Sequence, residues 1–245
     1  MREPRCPGGI FVDWEEEMIE HIPEQVDNAW LYFHSAGESS EQIRPFLPRL
    51  IECLPTTYLW AGDGVISGSP LMRQGLHYGD DAKRYWFTFP MQDASSPESF
   101  AGHVEAMGAT LSCGGAYVNA LADQIMARFG ISAGKVVLCG FQHGGCTALA
   151  ASMMRKKDPY AVTIVFEPYL LEAYYLQHEA DLPPTRVVCI DNQHIRNRTR
   201  AWMNIETDQE FQSYGMVTQS ITLEEGGDNL DAAMMEEAIK IMLTL

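Results

Sequence analysis

The stretch Gly140-Phe141-Gln142-His143-Gly144-Gly145 decides the fold of this chain. An apolar run, residues 135–139, precedes it, and a helix-forming run, residues 146–152, follows it. This pattern predicts a buried strand, a sharp turn and a helix, because glycines let the backbone turn tightly and pass close to its neighbours. The side chain of Gln142 is then presented above the end of the strand.

Strand, sharp turn and helix are also the setting that the G-x-S-x-G motif of serine hydrolases requires. In that motif the residue at the turn is a serine, whose hydroxyl becomes a nucleophile when a base takes its proton. Gln142 stands at this position, and a carboxamide cannot replace the hydroxyl because its nitrogen lone pair is delocalised into the carbonyl. The stretch therefore predicts a hydrolase scaffold without its nucleophile.

The rest of the chain alternates between strand-like and helix-like patterns, which predicts an α/β fold with a mainly parallel central sheet and helices on both faces. Strands are predicted at 29–33, 57–60, 135–139, 161–166, 186–190 and 217–223, with a short edge strand near 85–89. Helices are predicted at 41–53 with a late or broken start at its prolines, at 99–129 where Gly114-Gly115 could interrupt it, and at 144–152, 199–214 and 231–243. Residues 61–84 are predicted to form a long loop.

The length of 245 residues suits a single α/β domain, which we place at residues 28–245, after an N-terminal arm at residues 1–27. Trp14, Met18 and Ile19 form an apolar stripe in this arm. Such stripes usually pack on their own domain, and docking on a partner protein is the alternative.

Composition excludes several classes of function. The 17 basic and 33 acidic residues give a formal charge of -16, which disfavours nucleic acid and anionic lipid surfaces as partners. The sequence contains no run of 18 apolar residues that would predict a membrane span, and its N-terminus lacks the pattern of a signal peptide. The six cysteines lack the spacing of a metal site. From these features together we expect a soluble intracellular protein without metal or cofactor.

Three segments in this order resemble the phospholipase/carboxylesterase family of α/β-hydrolases, which includes the acyl-protein thioesterases. Residues 34–37 (HSAG) are similar to that family's HGxG turn, residues 140–145 (GFQHGG) to its GFSQGG elbow, and residues 225–230 (EGGDNL) to its GGH segment before the last helix. The resemblance extends from about Ala29 to the C-terminus and implies the α/β-hydrolase fold.

The resemblance also implies where a catalytic triad would stand. Gln142 occupies the position of the serine, Asp228 that of the histidine and His194 that of the supporting acid, although a small shift would place Asp191 there. Hydrolysis needs a hydroxyl to attack, an imidazole to carry its proton and a carboxylate to orient the imidazole. All three positions are replaced, so no catalytic residue is expected. His194 and Asp228 acting directly on water is a less favoured alternative.

Backbone donors survive side-chain replacement, and the amides of His143 and Ala36 match the family's oxyanion hole. A pocket for a small carbonyl or carboxylate ligand could therefore outlast catalysis. We expect a catalytically inactive α/β-hydrolase-fold protein that acts as a binding or structural subunit with a protein partner not yet identified. The alternative is a divergent carboxylesterase or acyl thioesterase that uses non-standard residues.

Overall fold

A computed structural model of the chain describes residues 18–67, 84–86, 97–167, 186–192, 217–224, 226 and 229–245. Its strands are β1 (Ile19–His21), β2 (Asn28–Phe33), β3 (Thr57–Gly62), β4 (Ile66–Ser67), β5 (Arg84–Tyr85), β6 (Val136–Phe141), β7 (Val162–Phe166), β8 (Arg186–Asn192) and β9 (Val217–Leu223). Within the described residues, seven of these strands form one sheet in the order β1-β3-β2-β6-β7-β8-β9. All neighbours in this sheet are parallel except β1, which runs antiparallel to β3.

Four α-helices accompany these strands in the described part of the chain: α1 (Leu47–Cys53), α2 (Pro97–Phe129), α3 (His143–Met154) and α4 (Ala232–Met242). The late start predicted for the first helix is confirmed. Residues Ser40–Phe46 form a 3-10 helix that contains Pro45, and α1 follows with Pro48 in its first turn. Proline is tolerated there because the first amides of a helix have no partner within it.

Alternate residues of the strands face two separate apolar layers. Leu31 and Phe33 of β2 belong to one core, which includes residues of α2 and α3, whereas Trp30 and Tyr32 belong to the other, which includes residues of α1 and α4. A strand buried on both faces reads as a continuous apolar run, which is the pattern of the central strands here. The predicted α/β architecture is confirmed.

Helix α2 runs without interruption through Gly114 and Gly115, where a break was considered. A β-carbon on Gly114 would lie 2.9 Å from the carbonyl oxygen of Trp86, and one on Gly115 would lie 2.9 Å from the amide nitrogen of Ala151 in α3. The glycines therefore let α2 pack closely on its neighbours. This close packing outweighs their low helix propensity, about 1 kcal/mol each.

The start of the sheet differs from the prediction. We expected its first strand near residue 28, but Ile19–His21 already pairs with β3. Ile19 packs against the core, which favours the self-packing interpretation of this part of the apolar stripe, while Met18 is 51% exposed. A strand of three residues is too short to show a period of two in the sequence. Trp14 lies outside the described residues.

The region predicted as a long loop contains a short strand at each end. β4 and β5 pair with each other in a separate two-stranded ladder, so the strand predicted near 85–89 starts at Arg84 and does not extend the main sheet. Residues 87–89 and the helix predicted at 199–214 lie outside the described residues.

Candidate functional site

Gln142 stands at the tight turn between β6 and α3, as predicted. Its backbone angles, φ 48° and ψ -106°, lie in a region that residues with a side chain rarely adopt. The chain passes so close to β2 that a β-carbon on Gly144 would lie 2.1 Å from the carbonyl oxygen of Phe33, and one on Gly140 would lie 2.4 Å from the carbonyl carbon of Gly144. The glycines of the decisive stretch are therefore required by the close approach of backbones.

The Gln142 carboxamide is hydrogen-bonded at both ends. The Ser35 hydroxyl donates to its Oε1 at 2.8 Å, and its Nε2 donates to Oε2 of Glu167 at 2.9 Å. Nδ2 of Asn192 donates to the other Glu167 oxygen at 3.0 Å. This orientation gives each end of the carboxamide a complementary partner, because a hydroxyl can donate to its oxygen and a carboxylate oxygen can accept from its nitrogen.

The four side chains meet because parallel strands bring their carboxyl ends to one edge of the sheet. Ser35, Gln142 and Glu167 follow β2, β6 and β7, and Asn192 is the last residue of β8. Glu167 also has a positive φ of 49°. Two such residues side by side mark a site where surrounding contacts hold strained backbone in place, at about 1 to 3 kcal/mol each.

The network extends from Ser35 towards the 3-10 helix. Oε1 of Gln42 accepts a hydrogen bond from the Tyr32 hydroxyl at 2.6 Å and a longer one from the Ser35 amide at 3.3 Å. Burial raises the pKa of Tyr32 well above its usual value, so the phenol stays protonated and remains a donor. The loop that carries Ser35 is thus fixed by the carboxamide of Gln42.

His34 in the same loop has a structural role. Its Nε2 accepts a hydrogen bond from the Gly64 amide at 2.7 Å, and its Nδ1 lies 2.6 Å from the carbonyl oxygen of Ser35. A ring that accepts at Nε2 must carry its proton at Nδ1, so the imidazole is neutral. Burial lowers the pKa of His34 to about 4, in agreement with this assignment. Trp86 covers the residue and donates from Nε1 to the His34 carbonyl oxygen at 3.0 Å.

The two residues expected to supply oxyanion donors lie beside the network. Ala36 follows Ser35, and His143 follows Gln142. The hydrogen bond between the side chains of Ser35 and Gln142 therefore brings the two backbone segments together. His143 is buried as the first residue of α3, and its Nδ1 accepts a long hydrogen bond of 3.4 Å from the Trp86 amide.

Two of the three triad-equivalent positions, His194 and Asp228, lie outside the described residues, so their assignment stays a prediction. Asp191, the alternative to His194, lies in β8 next to Asn192. Neighbouring residues of a strand point to opposite faces, and Asn192 is the one whose side chain contacts Glu167.

Sequence reasoning assigned Glu167 and Asn192 no role beside Gln142, and it noticed Ser35 only as a departure from the glycine of the family's HGxG turn. A signal was present, because each of the two missed residues is the first or second polar residue at the end of an apolar strand. Such residues collect at the carboxyl edge of a parallel sheet, where sites in α/β folds are found.

Two further properties concern the described residues only. No group of three or more histidine, cysteine, aspartate or glutamate side chains among them is arranged to hold a metal ion. Of the helices in this part of the chain, none combines the length and apolarity needed to cross a bilayer.

Comparison with known proteins defines the class of fold. No protein-family model matches the sequence. The crystal structure of esterase PE8 is similar with a TM-score of 0.69 and 14% sequence identity, over 95% of this chain and 99% of that one. Arabidopsis thaliana SOBER1 gives a TM-score of 0.68 at 14% identity over 89% and 98% of the two chains. A carboxylesterase from Mesorhizobium loti gives 0.59 at 11% identity over 89% of each chain.

The chain therefore has the α/β-hydrolase fold seen in these structures, which confirms the predicted fold class. At these identities the likeness defines the fold, and function has to be argued from the site itself.

Proposed function

We propose that this chain is a non-catalytic α/β-hydrolase-fold protein that acts as a binding or structural subunit. The observation that carries the proposal is the carboxamide at the nucleophile position, held by hydrogen bonds from Ser35 and to Glu167. A side chain engaged at both polar ends has neither a hydroxyl to attack with nor freedom to orient a water molecule. Its chemistry suits a structural link between strand ends.

Ser35 carries a hydroxyl in contact with Gln142, yet its contacts do not activate it. It donates its proton to a carboxamide oxygen, which is not a base. The adjacent His34 uses both ring nitrogens in hydrogen bonds to backbone groups, and its pKa of about 4 leaves it a weak base at neutral pH. These contacts support the non-catalytic proposal.

The alternative is a divergent esterase in which Glu167 acts as a base on water. The observation in its favour is that this carboxylate is buried beside the elbow, with 2% of its surface exposed. Both carboxylate oxygens, however, accept hydrogen bonds from amide groups of Gln142 and Asn192. A carboxylate with both oxygens engaged in this way is poorly placed to take a proton from water, so this alternative is the less favoured one.

As a binding protein, the chain is expected to have a protein partner and could hold a small ligand at the backbone amides of His143 and Ala36. Our prediction allowed a carbonyl or a carboxylate there.

The first test uses a fluorophosphonate probe, which labels activated serines, together with turnover of p-nitrophenyl acetate. We expect the folded chain to keep its intact mass after incubation with the probe and to show no saturable turnover, while an active serine esterase of the same fold is labelled in parallel. Stoichiometric labelling of Ser35, or of any other serine, would overturn the proposal and identify a displaced nucleophile.

The second test restores the hydroxyl with Gln142→Ser. We still expect little esterase activity, because the resemblance places Asp228 where the family has its general base, and the side chains hydrogen-bonded to Gln142 among the described residues are a hydroxyl and a carboxylate. Burst release of p-nitrophenol by this variant, followed by steady turnover, would show that a competent base is present and would refute the loss of the triad.

A further inference from the structure

The contacts of the Gln142 carboxamide define a two-point clamp, formed by the Ser35 hydroxyl and the Glu167 carboxylate. We propose that this clamp is a recognition site for a primary carboxamide, which the chain fills with its own Gln142 side chain. The inference rests on the proposed function, because it takes the elbow as a binding site rather than a catalytic one, and it names the ligand chemistry of that site.

The two ends of the clamp have opposite hydrogen-bonding character. Ser35 donates to an oxygen at 2.8 Å, and Glu167 accepts from a nitrogen at 2.9 Å. A primary carboxamide carries an acceptor oxygen and a donor nitrogen on one planar carbon and therefore satisfies both ends at once. A carboxylate and an ester both offer an acceptor oxygen to Ser35, but neither carries the N–H donor that Glu167 accepts from.

The clamp is held in place by residues behind it. Asn192 donates to the second oxygen of Glu167 at 3.0 Å, and Gln42 accepts from the backbone amide of Ser35 at 3.3 Å. Supporting hydrogen bonds of this kind reduce the cost of binding, because the recognising groups are already oriented before the ligand arrives.

The clamp residues are more deeply buried than the Gln142 side chain that they bind. Ser35, Glu167 and Asn192 are 6%, 2% and 0% exposed, whereas Gln142 is partly exposed. The backbone of residue 142 is anchored independently of its side chain, since its amide donates to the Phe166 carbonyl at 2.8 Å and its carbonyl accepts from the Cys146 amide at 2.9 Å. We therefore expect removal of the side chain to uncover the clamp without removing the turn.

Selectivity follows from what each ligand leaves unpaired. A carboxylate would face the carboxylate of Glu167, and an ester would leave Oε2 of Glu167 without the donor that Gln142 supplies. Sites built to hydrogen-bond a particular group reject analogues that lack it strongly, because their own buried polar groups lose a partner. We expect the affinity for a primary carboxamide to exceed that for the matching ester or acid by at least about tenfold.

The experiment opens the site with Gln142→Gly, which also suits the positive φ at this position. Thermal unfolding is measured with propionamide, sodium propionate and methyl propionate, in the variant and in the wild-type chain. At ten times its dissociation constant, propionamide should raise the melting temperature of the variant by about 3 to 6 °C. The acid and the ester should have no comparable effect, and the filled wild-type site should not respond.

A second titration of Gln142→Gly separates the two sources of such a group. N-acetylglutamine N-methylamide, whose only primary carboxamide is that of the side chain, should bind at least as well as propionamide if the site accepts a glutamine of another polypeptide, and it should be excluded if the site accepts only a small amide. Equal stabilisation by amide, acid and ester, or none by the amide, would overturn the inference. Ester turnover by the wild-type chain, measured alongside, would instead overturn the proposed function.

A second variant keeps the inference testable if Gln142→Gly does not fold. Gln142→Glu preserves the shape of the side chain and removes its donor at neutral pH. We expect it to be less stable than wild type at pH 7 and to recover as the pH falls, because a proton shared between the two carboxyl groups restores a donor. Wild-type stability at pH 7 would contradict an ionised acceptor at Glu167.

Discussion

The stability held by the Gln142 carboxamide can be worked out from its contacts. Gln142→Ala removes one hydrogen bond to a buried carboxylate, which contributes about 1.5 to 3 kcal/mol, and one from a neutral hydroxyl, which contributes about 1 kcal/mol. Alanine keeps the β-carbon, so the backbone strain at φ 48° is unchanged. We therefore expect a loss of about 2.5 to 4 kcal/mol in the free energy of unfolding.

The chain offers a matched control for this substitution. Gln25 also donates from its Nε2 to a carboxylate, that of Asp27 at 2.7 Å, but both side chains are exposed. Water replaces such a contact when it is lost, so Gln25→Ala should change the free energy of unfolding by less than about 0.5 kcal/mol.

Urea unfolding followed by circular dichroism measures both variants, and an unchanged dependence on urea shows that the folded state is preserved. Adding Ser35→Ala to each variant completes a double-mutant cycle. We expect a coupling of about 1 kcal/mol between Ser35 and Gln142 and none between Ser35 and Gln25. If Gln142→Ala costs no more than Gln25→Ala, the carboxamide does not link the strand ends and our account of the site is wrong.

Two further predictions concern the surroundings of Gln142. Gly144→Ala should destabilise the fold by about 3 kcal/mol or more in urea unfolding, because the new β-carbon would lie 2.1 Å from a backbone oxygen. The control Gly134→Ala should be close to neutral, because the nearest atom to its new β-carbon would lie 3.9 Å away. Equal effects of the two substitutions would contradict the close approach at the turn. The pKa of His34 is lower in the folded chain than in the unfolded chain, so the unfolded chain takes up a proton at this residue first as the pH falls. The free energy of unfolding therefore decreases by roughly 3 kcal/mol between pH 6.5 and about 4, whereas His34 contributes no such loss at higher pH. The difference in unfolding free energy between wild type and His34→Gln, measured across that range, should fall by this amount, and a constant difference would refute the buried neutral ring.

The turn at Gln142 could be predicted because its cause lies in adjacent residues, an apolar strand and glycines that permit close backbone contact. The network around it could not. Ser35 and Glu167 are 107 and 25 residues away from Gln142 along the chain, and only the order of strands in the sheet brings the three together. Strand β1 escaped prediction for a different reason, since three residues hold too little pattern to reveal pairing with β3.

The turn and the side chain at its tip have separate physical causes. Gly144 must approach β2 closely whatever side chain stands at residue 142, because the contact is between backbones. The side chain at 142 is instead determined by what it meets above the sheet, and here it meets a donor at Ser35 and an acceptor at Glu167. A serine would be too short to satisfy both. The glycines therefore indicate the fold, whereas the residue between them and its two partners indicate what the site can do.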